Sequence, residues 1–374
     1  MIFSDIPGLQ SVKEKLNRSI KSGKIAHAQL FAGPQGSANL SMALAYATSL
    51  NCTNRINGDA CGKCASCQKT GKAIHPDLHF VFPVSSAKGI TGIAGISDNF
   101  IADWRLFIAQ NPYGGPYEWS IKFGGENKQL NISKEESRNI IKKLSLKSFE
   151  GEYKVMIIWL AEYMHPAAAN AILKLLEEPP ENTVFLLVTN DHEQIISTIL
   201  SRVQLLKIRP FNKEEVSGYL EGKLGLSSSK AMQIANIASG DLNYAINLVN
   251  EVEDDTNQQF QEWMRICFMS NYTKMVELAD DFFKTDKINQ KGLFQYGLSI
   301  LRESLIIQNG ANVTSNLMDS ENQFVLNFSK TLNLAKLEKL YTHLNEALFH
   351  LERNGNPKIT FLDTSLQISS TFRS

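Results

Sequence analysis

The chain has 374 residues, with 38 Lys+Arg against 38 Asp+Glu, so its formal net charge is zero. That balance excludes a strongly basic, sequence-independent DNA coat, while leaving room for a local basic groove. A content of 43% hydrophobic and 20% charged residues excludes a disordered chain and, at this length, predicts about two to three folded domains. No apolar run approaches the roughly 18 residues that span a bilayer, and Met1-Ile2-Phe3-Ser4-Asp5 has no basic segment leading into an apolar one. Neither a signal peptide nor a membrane partner is expected, and the expected location is the cytoplasm.

Ala28-Gln29-Leu30-Phe31-Ala32 is a short apolar run ending at Gly33, and Ser41 to Leu50 reads as an Ala-rich helix. Between them lies Gly33-Pro34-Gln35-Gly36-Ser37-Ala38-Asn39-Leu40, where a phosphate loop belongs. The template G-x4-G-K-[ST] uses its Lys to neutralise the β- and γ-phosphates and its hydroxyl to hold Mg²⁺. Here Ala38, Asn39 and Leu40 stand at the second Gly, the Lys and the hydroxyl positions. The strand–turn–helix shape is expected to persist without the charge and the metal ligand.

Four of the five cysteines, Cys52, Cys61, Cys64 and Cys67, fall within sixteen residues in the spacing C-x8-C-x2-C-x2-C. Short C-x2-C turns let thiolates converge on one ion, and four of them with no open position make a closed structural zinc site over 52–67. The alternative is a set of unrelated buried or redox thiols. Cys267, in the apolar stretch Trp263-Met264-Arg265-Ile266-Cys267-Phe268, reads as core.

Residues 85 to about 130 break the pattern. They hold Gly89, Gly92, Gly95, Gly114, Gly115, Gly124 and Gly125 beside Trp104, Phe107, Tyr113, Tyr117 and Trp119. Phe100 to Ile108 reads as a helix begun near Asp98 and the rest as loop: an insertion packed on the first domain, with a partner-binding role as the alternative.

Beyond it, Val155 to Leu160 and Val184 to Val188 are continuous apolar strands, Ala167 to Glu178 is a helix stopped by Pro179-Pro180, Ile195 to Ser201 is helical, and Val203 to Ile208 is strand. Continuous apolar strands separated by helices predict a parallel sheet covered on both faces. A Walker-B strand ends in carboxylates that organise Mg²⁺ and water, but here Ile157-Ile158 runs into Trp159-Leu160. Loss of Lys, hydroxyl and both carboxylates predicts that this chain neither hydrolyses ATP nor carries it as a cofactor. Nucleotide binding without hydrolysis is the open alternative. In Ser201-Arg202-Val203, Arg202 is either a last-turn cation offsetting a helix dipole or an arginine finger entering a neighbour's ATP site, a role worth roughly 10³–10⁵ in rate.

After Pro210 the strand signals fade. Lys213 to Leu224, Ser228 to Ala238 and Leu242 to Asn250 read as short helices, Glu251 to Asp255 as an acidic linker, and 256–374 as all-helical and balanced in charge. Leu337, Leu340, Tyr341, Leu344, Leu348 and Leu351 form an apolar stripe at helical spacing, ended by Asn354-Gly355. Such a stripe reads as core or as a subunit contact.

Several stretches together resemble the delta-prime family of the bacterial DNA polymerase III clamp loader. They are Ile6-Pro7-Gly8-Leu9-Gln10, Lys24-Ile25-Ala26-His27-Ala28, the cysteine module followed by His75-Pro76-Asp77, Ala168-Ala169-Asn170-Ala171-Ile172-Leu173-Lys174, Leu176-Glu177-Glu178-Pro179-Pro180, and Ser201-Arg202-Val203 on the family's Ser-Arg-Cys motif. The matches cover residues 1 to about 250. The resemblance implies an α/β parallel-sheet AAA+ domain (1–208), a small helical lid (209–252) and an all-α collar for oligomerisation (256–374). It implies a heteropentamer with delta and three gamma/tau-type ATPase subunits, in which Arg202, with Ser201 beside it, acts on ATP bound next door. That assembly would open the sliding clamp and place it on primed DNA. Val203 replaces the motif's Cys, and Asn243 stands at the lid's sensor-arginine position, which agrees with the absence of local ATP chemistry. The runner-up is an active gamma/tau-type ATPase, disfavoured by the missing Lys and carboxylates. A zinc-dependent DNA-binding protein is a third reading, disfavoured by the neutral charge.

Overall fold

The structure, a computed structural model, describes residues 1–85, 95–125, 128–145, 147–251, 255–285, 287–308, 319–353 and 355–373. Gly89 and Gly92 of the insertion, the middle of the acidic linker and Asn354 lie outside the described residues. The chain divides into two compact units, Met1–Glu215 with Gly240–Tyr244, and Val216–Ser239 with Ala245–Ser374.

The first unit is built on a sheet of β1 (Ala28–Ala32), β2 (Leu78–Val81), β3 (Lys154–Trp159), β4 (Thr183–Thr189) and β5 (Gln204–Lys207). All run parallel, in the order β2-β3-β4-β1-β5. Strands β1, β3 and β4 are buried at every residue, as continuous apolar runs require when helices cover both faces. β5 is an edge strand and largely exposed. The register puts Ala32 beside Thr189, and Trp159 beside Val188. The loops leaving β1, β3 and β4 therefore emerge together at the carboxyl edge of the sheet, where open α/β sheets place their sites.

The helices of this unit are α1 (Gln10–Lys21), α2 (Asn39–Leu50), α3 (Ala65–Gly71), α4 (Ile101–Gln110), α5 (Pro116–Phe123), α6 (Lys134–Ser145), α7 (Pro166–Glu177) and α8 (Ser197–Leu200). Every residue of α2 is buried. Its alanines and serines let backbone approach backbone closely. One expectation needs correction: the insertion is not loop after Ile108. Gly115 and Pro116 start α5, where Pro costs no hydrogen bond at the first helical position. The Glu118 carboxylate accepts the Gly115 amide at 2.9 Å, and Gly124 closes the helix at φ 76°. The glycines taken as loop punctuation are the two ends of this helix.

The second unit is helical throughout its described residues: α9 (Lys213–Leu224, beginning in the first unit), α10 (Ser228–Ala238), α11 (Leu242–Glu251, likewise), α12 (Asp255–Met269), α13 (Tyr272–Lys284), α14 (Lys287–Gln308), α15 (Asp319–Thr331), α16 (Leu334–Glu352) and α17 (Pro357–Arg373). Its core gathers Phe260, Trp263, Phe294 and Phe361. Trp263 stacks on Phe361 at 4.7 Å, and its indole N–H donates to Ser365 Oγ at 2.8 Å, so the buried donor is satisfied. Cys267 is buried in the same core. Of the α16 stripe, Leu337, Leu340, Leu344 and Leu351 are core, while Tyr341 is exposed. Among the described residues no helix is long and apolar enough to cross a membrane. An α/β parallel-sheet domain followed by helical elements is thus what the chain forms.

His75-Pro76-Asp77 has a local explanation. The buried Asp77 carboxylate accepts the amides of Phe149, Glu150 and Gly151 at 2.6, 2.8 and 2.7 Å, fixing the turn that feeds β3. Burial works against its charge, but the Glu150, Gly151 and Phe149 amides outweigh burial and hold the carboxyl below its usual range. Asp77→Ala removes three charge-assisted bonds at once and is expected to cost about 2–3 kcal/mol, measured as a lowered urea midpoint.

Candidate functional site

The strand–turn–helix expected over 33–40 is present. Gly36 sits at φ +74°, and a Cβ there would lie 1.8 Å from Asp241 Oδ1, so only glycine fits. Gly33 leaves β1 with its amide on Thr189 O at 3.3 Å, and Ala38 immediately precedes α2. The side chains at 39 and 40 turn into the protein. Asn39 is buried, and its Nδ2 lies within bonding distance of Gly33 O (3.0 Å), Thr189 O (3.1 Å) and Asn190 Oδ1 (3.0 Å), while its Oδ1 accepts the Leu40 amide at 2.8 Å. A lysine here would need a free ammonium facing an anion. The asparagine instead spends its polar atoms on the ends of β1 and β4. Leu40 is buried and offers no oxygen. At the end of β3, Trp159 is 1% exposed and packs against aromatic rings where a carboxylate would organise metal.

The four cysteines of the 52–67 module meet. Their sulfurs all lie within 4.8 Å of one another, and Cys61 Sγ is 3.9 Å from Cys67 Sγ. A tetrahedral ion with metal–sulfur bonds of about 2.3 Å needs sulfurs about 3.8 Å apart, so the set can hold one ion. The module is shaped by a tight turn, Ile56-Asn57-Gly58-Asp59, with positive φ at Asn57 and Gly58, the signature of an Asn-Gly hairpin. Asp59 then accepts the Phe3 and Ser4 amides at 3.0 and 2.8 Å, tying the chain's start to the module. Backbone N–H groups point at the sulfurs: Cys61 N to Cys52 Sγ at 3.3 Å, Cys64 N to Cys61 Sγ at 3.3 Å, and Cys67 N to Cys64 Sγ at 3.4 Å. Burial pushes the Cys64 thiol up, but the Cys67 and Thr53 donors outweigh it and bring it to about 6. These donors favour the thiolate, the form that binds metal, at Cys61 and Cys64, while burial raises the Cys52 and Cys67 thiols above their usual range.

Arg202 lies just past α8, before the edge strand β5. Its Nε and Nη2 each lie 2.5 Å from Glu177 Oε1 at the end of α7. Its Nη1 donates to Thr198 O at 2.8 Å and Ser201 Oγ at 3.0 Å. The side chain is 31% exposed and that of Glu177 48%, so the pair is open to solvent. Ser201 thus helps hold the guanidinium.

The family described as "DNA polymerase III, delta subunit" matches residues 8–212, the α/β unit that carries all three features. The chain belongs to this family. It is 26% identical over 251 residues to DNA polymerase III subunit delta' of Bacillus subtilis (strain 168), covering 67% of this chain and 60% of that protein. It is also 26% identical over 254 residues to DNA polymerase III subunit tau of Escherichia coli (strain K12), covering 67% of this chain and 32% of that protein. The chain therefore spans about a third to three-fifths of these relatives. A solved gamma subunit-related protein of Thermotoga maritima aligns over 96% of this chain and 99% of its own, with 17% identity and a TM-score of 0.37, too loose a likeness to carry an argument.

In this DNA polymerase III family chain the sequence left three participants unread. Glu177 is separated from Arg202 by 25 positions, Asn190 from Asn39 by 151, and nothing local marks either pairing. The third is Glu162, just after β3. Its Oε1 accepts the Asn190 amide at 2.9 Å, while its Oε2 is buried without a hydrogen-bond partner. Burial pushes this carboxyl up to about 7, against the pull of the Asn190 amide. The folded chain thus holds a proton that the unfolded chain releases near 4.5, so this contribution to stability is full below about 4.5 and falls as pH rises through about 7. Glu162→Gln keeps the acceptor and removes the titration. Between pH 4.5 and 8 the unaltered chain is expected to lose roughly 3 kcal/mol relative to Glu162→Gln, read by chemical denaturation at both ends of the window.

Proposed function

We propose that this chain is a non-hydrolysing clamp-loader subunit of DNA polymerase III. It assembles with a delta subunit and gamma/tau-type ATPase subunits, and it presents Arg202 to ATP held by an adjacent ATPase subunit. Through the complex it supports placement of the sliding clamp on primed DNA. The observation that carries the reading is Asn39: its amide donates to protein oxygens where an ATPase keeps a lysine for phosphate. The names of the relatives do not decide between delta' and tau, since both are matched at 26% identity. Asn39, Leu40 and Trp159 disfavour the active ATPase. A three-part division into 1–208, 209–252 and 256–374 with AAA+, lid and collar roles belongs to the same proposal.

Arg202 supports a finger by position and by exposure. It stands at the edge strand of the sheet, reachable by a neighbour, and is held by hydrogen bonds rather than buried. Arg202→Ala is expected to leave melting nearly unchanged, since an exposed pair contributes little. It is also expected to lower DNA-stimulated ATP turnover of the reconstituted complex at least tenfold, given the roughly 10³–10⁵ supplied by fingers elsewhere. Turnover equal to that of the unaltered complex removes the finger.

Zinc is the ion we assign to Cys52, Cys61, Cys64 and Cys67, because four thiolates at tetrahedral spacing leave no open position for catalysis. When bound it supplies a cross-link between Cys52 just past the end of α2, Cys61 and Cys64, and Cys67 in α3, and no reaction. Metal analysis is expected to give about one zinc per chain and Cys64→Ser to lose it, with a lower melting temperature. A chain purified without chelator that carries none contradicts the assignment.

A further inference from the structure

We propose that the segment 97–125 is a built-in occupant of the phosphate and metal half of the loop's pocket, closing it to nucleoside triphosphates. This rests on the reading of residues 33–40 as a phosphate loop without chemistry, and adds what fills the space.

Three kinds of contact carry it, all within the first unit. Aromatic rings cover the metal position. Trp104 on α4 is fully buried, meets Trp159 at 5.0 Å, stacks on Phe82 at 4.4 Å and stands perpendicular to Trp119 at 5.3 Å. Phe107 meets Trp159 at 5.6 Å. The end of β3 therefore faces indole and phenyl, an environment that cannot solvate a divalent cation or a phosphate.

The turn between α4 and α5 lies on the loop itself. Ser41 Oγ, in the first turn of α2, donates to Pro112 O at 2.9 Å. A Cβ on Gly115 would be 2.6 Å from Gln35 Nε2, so the bare backbone of the turn is seated against the loop side chain. The far side of the loop is latched as well. Leu242 N donates to Gly36 O at 3.1 Å, and buried Asn243 accepts from Asn111 Nδ2 at 2.8 Å while donating to Glu118 Oε1 at 2.9 Å. A cavity of about 480 Å³ remains beside the loop, lined by Leu9, Val12, Pro34, Ile208 and Arg209 among others, and no residue of 97–125 lines it. The insertion has filled one half of the pocket and left the other.

The test uses the full chain. A restored-loop protein carries Ala38→Gly, Asn39→Lys and Leu40→Thr; an unlatched version adds Ser41→Ala, Glu118→Gln and Asn243→Ala. Both are titrated with a fluorescent ATP analogue and Mg²⁺. The unlatched protein is expected to bind at least tenfold more tightly than the restored loop alone. Equal affinity in the two, tight or absent, overturns the occupant. Failure of the underlying reading looks different: Mg-ATP binding and turnover by the unaltered chain. Should Asn39→Lys prevent folding, hydrogen exchange of residues 101–123 is compared between the unaltered chain and Ser41→Ala/Asn243→Ala. Exchange at least threefold faster in the variant is expected, and unchanged exchange overturns the latch.

Discussion

A neutral amide stands where an ATPase keeps a buried cation, and much of the first unit follows from that exchange. A lysine in a closed pocket is stable only opposite an anion, because a buried charge without a partner is heavily penalised. The Asn39 amide carries no charge and finds acceptors on Gly33, Thr189 and Asn190. The side chain therefore fastens the ends of β1 and β4 together.

The end of β3 is hydrophobic. Trp159 stands there, and it needs a cover, because a large indole at the carboxyl end of the sheet would otherwise face water. Trp104 and Phe107 supply that cover, backed in turn by Trp119 and Phe123, and all four are buried. Aromatic packing of this kind prefers the tilted and edge-on arrangements seen here over face-to-face sandwiches. Their ordering is secured by polar contacts at the margin. Buried Glu136 accepts the Ser97 amide at 2.6 Å and the Ser97 hydroxyl at 3.0 Å, pinning the segment's entry against Phe82. Burial outweighs these donors and raises the Glu136 carboxyl above its ordinary range.

The parts legible in the sequence were those fixed by local composition. β3, β4, α2 and α7 read correctly because unbroken apolar runs and Pro-marked ends state their own structure. The cysteine module read from spacing, and its sulfurs do converge. What stayed hidden was mostly encoded at long range. β2 is four residues long, too short for a period to show. α5 carried its caps in plain view, but glycines on both sides resembled punctuation. The roles of Glu162, Asn190 and Glu177 depend on partners that only folding brings near. Asn243 was read as the absence of a sensor arginine; that its side chain bonds Asn111 and Glu118 could not be read from position 243 alone.

Arg202 forms an inconspicuous ion pair. Its partner Glu177 is about half exposed, and such pairs are worth roughly 0–1 kcal/mol and are weakened further by salt. If the pair were buried, withdrawing the guanidinium would leave Glu177 stranded at a cost of several kcal/mol, and the arginine would be committed to this chain. At the surface water can replace it. On the proposed reading, that weakness is what a finger in trans requires: enough bonding from Glu177, Thr198 and Ser201 to hold the guanidinium at the end of α8, and too little to compete with a neighbouring γ-phosphate. α8 and β5, which flank Arg202 in sequence, set where the guanidinium begins.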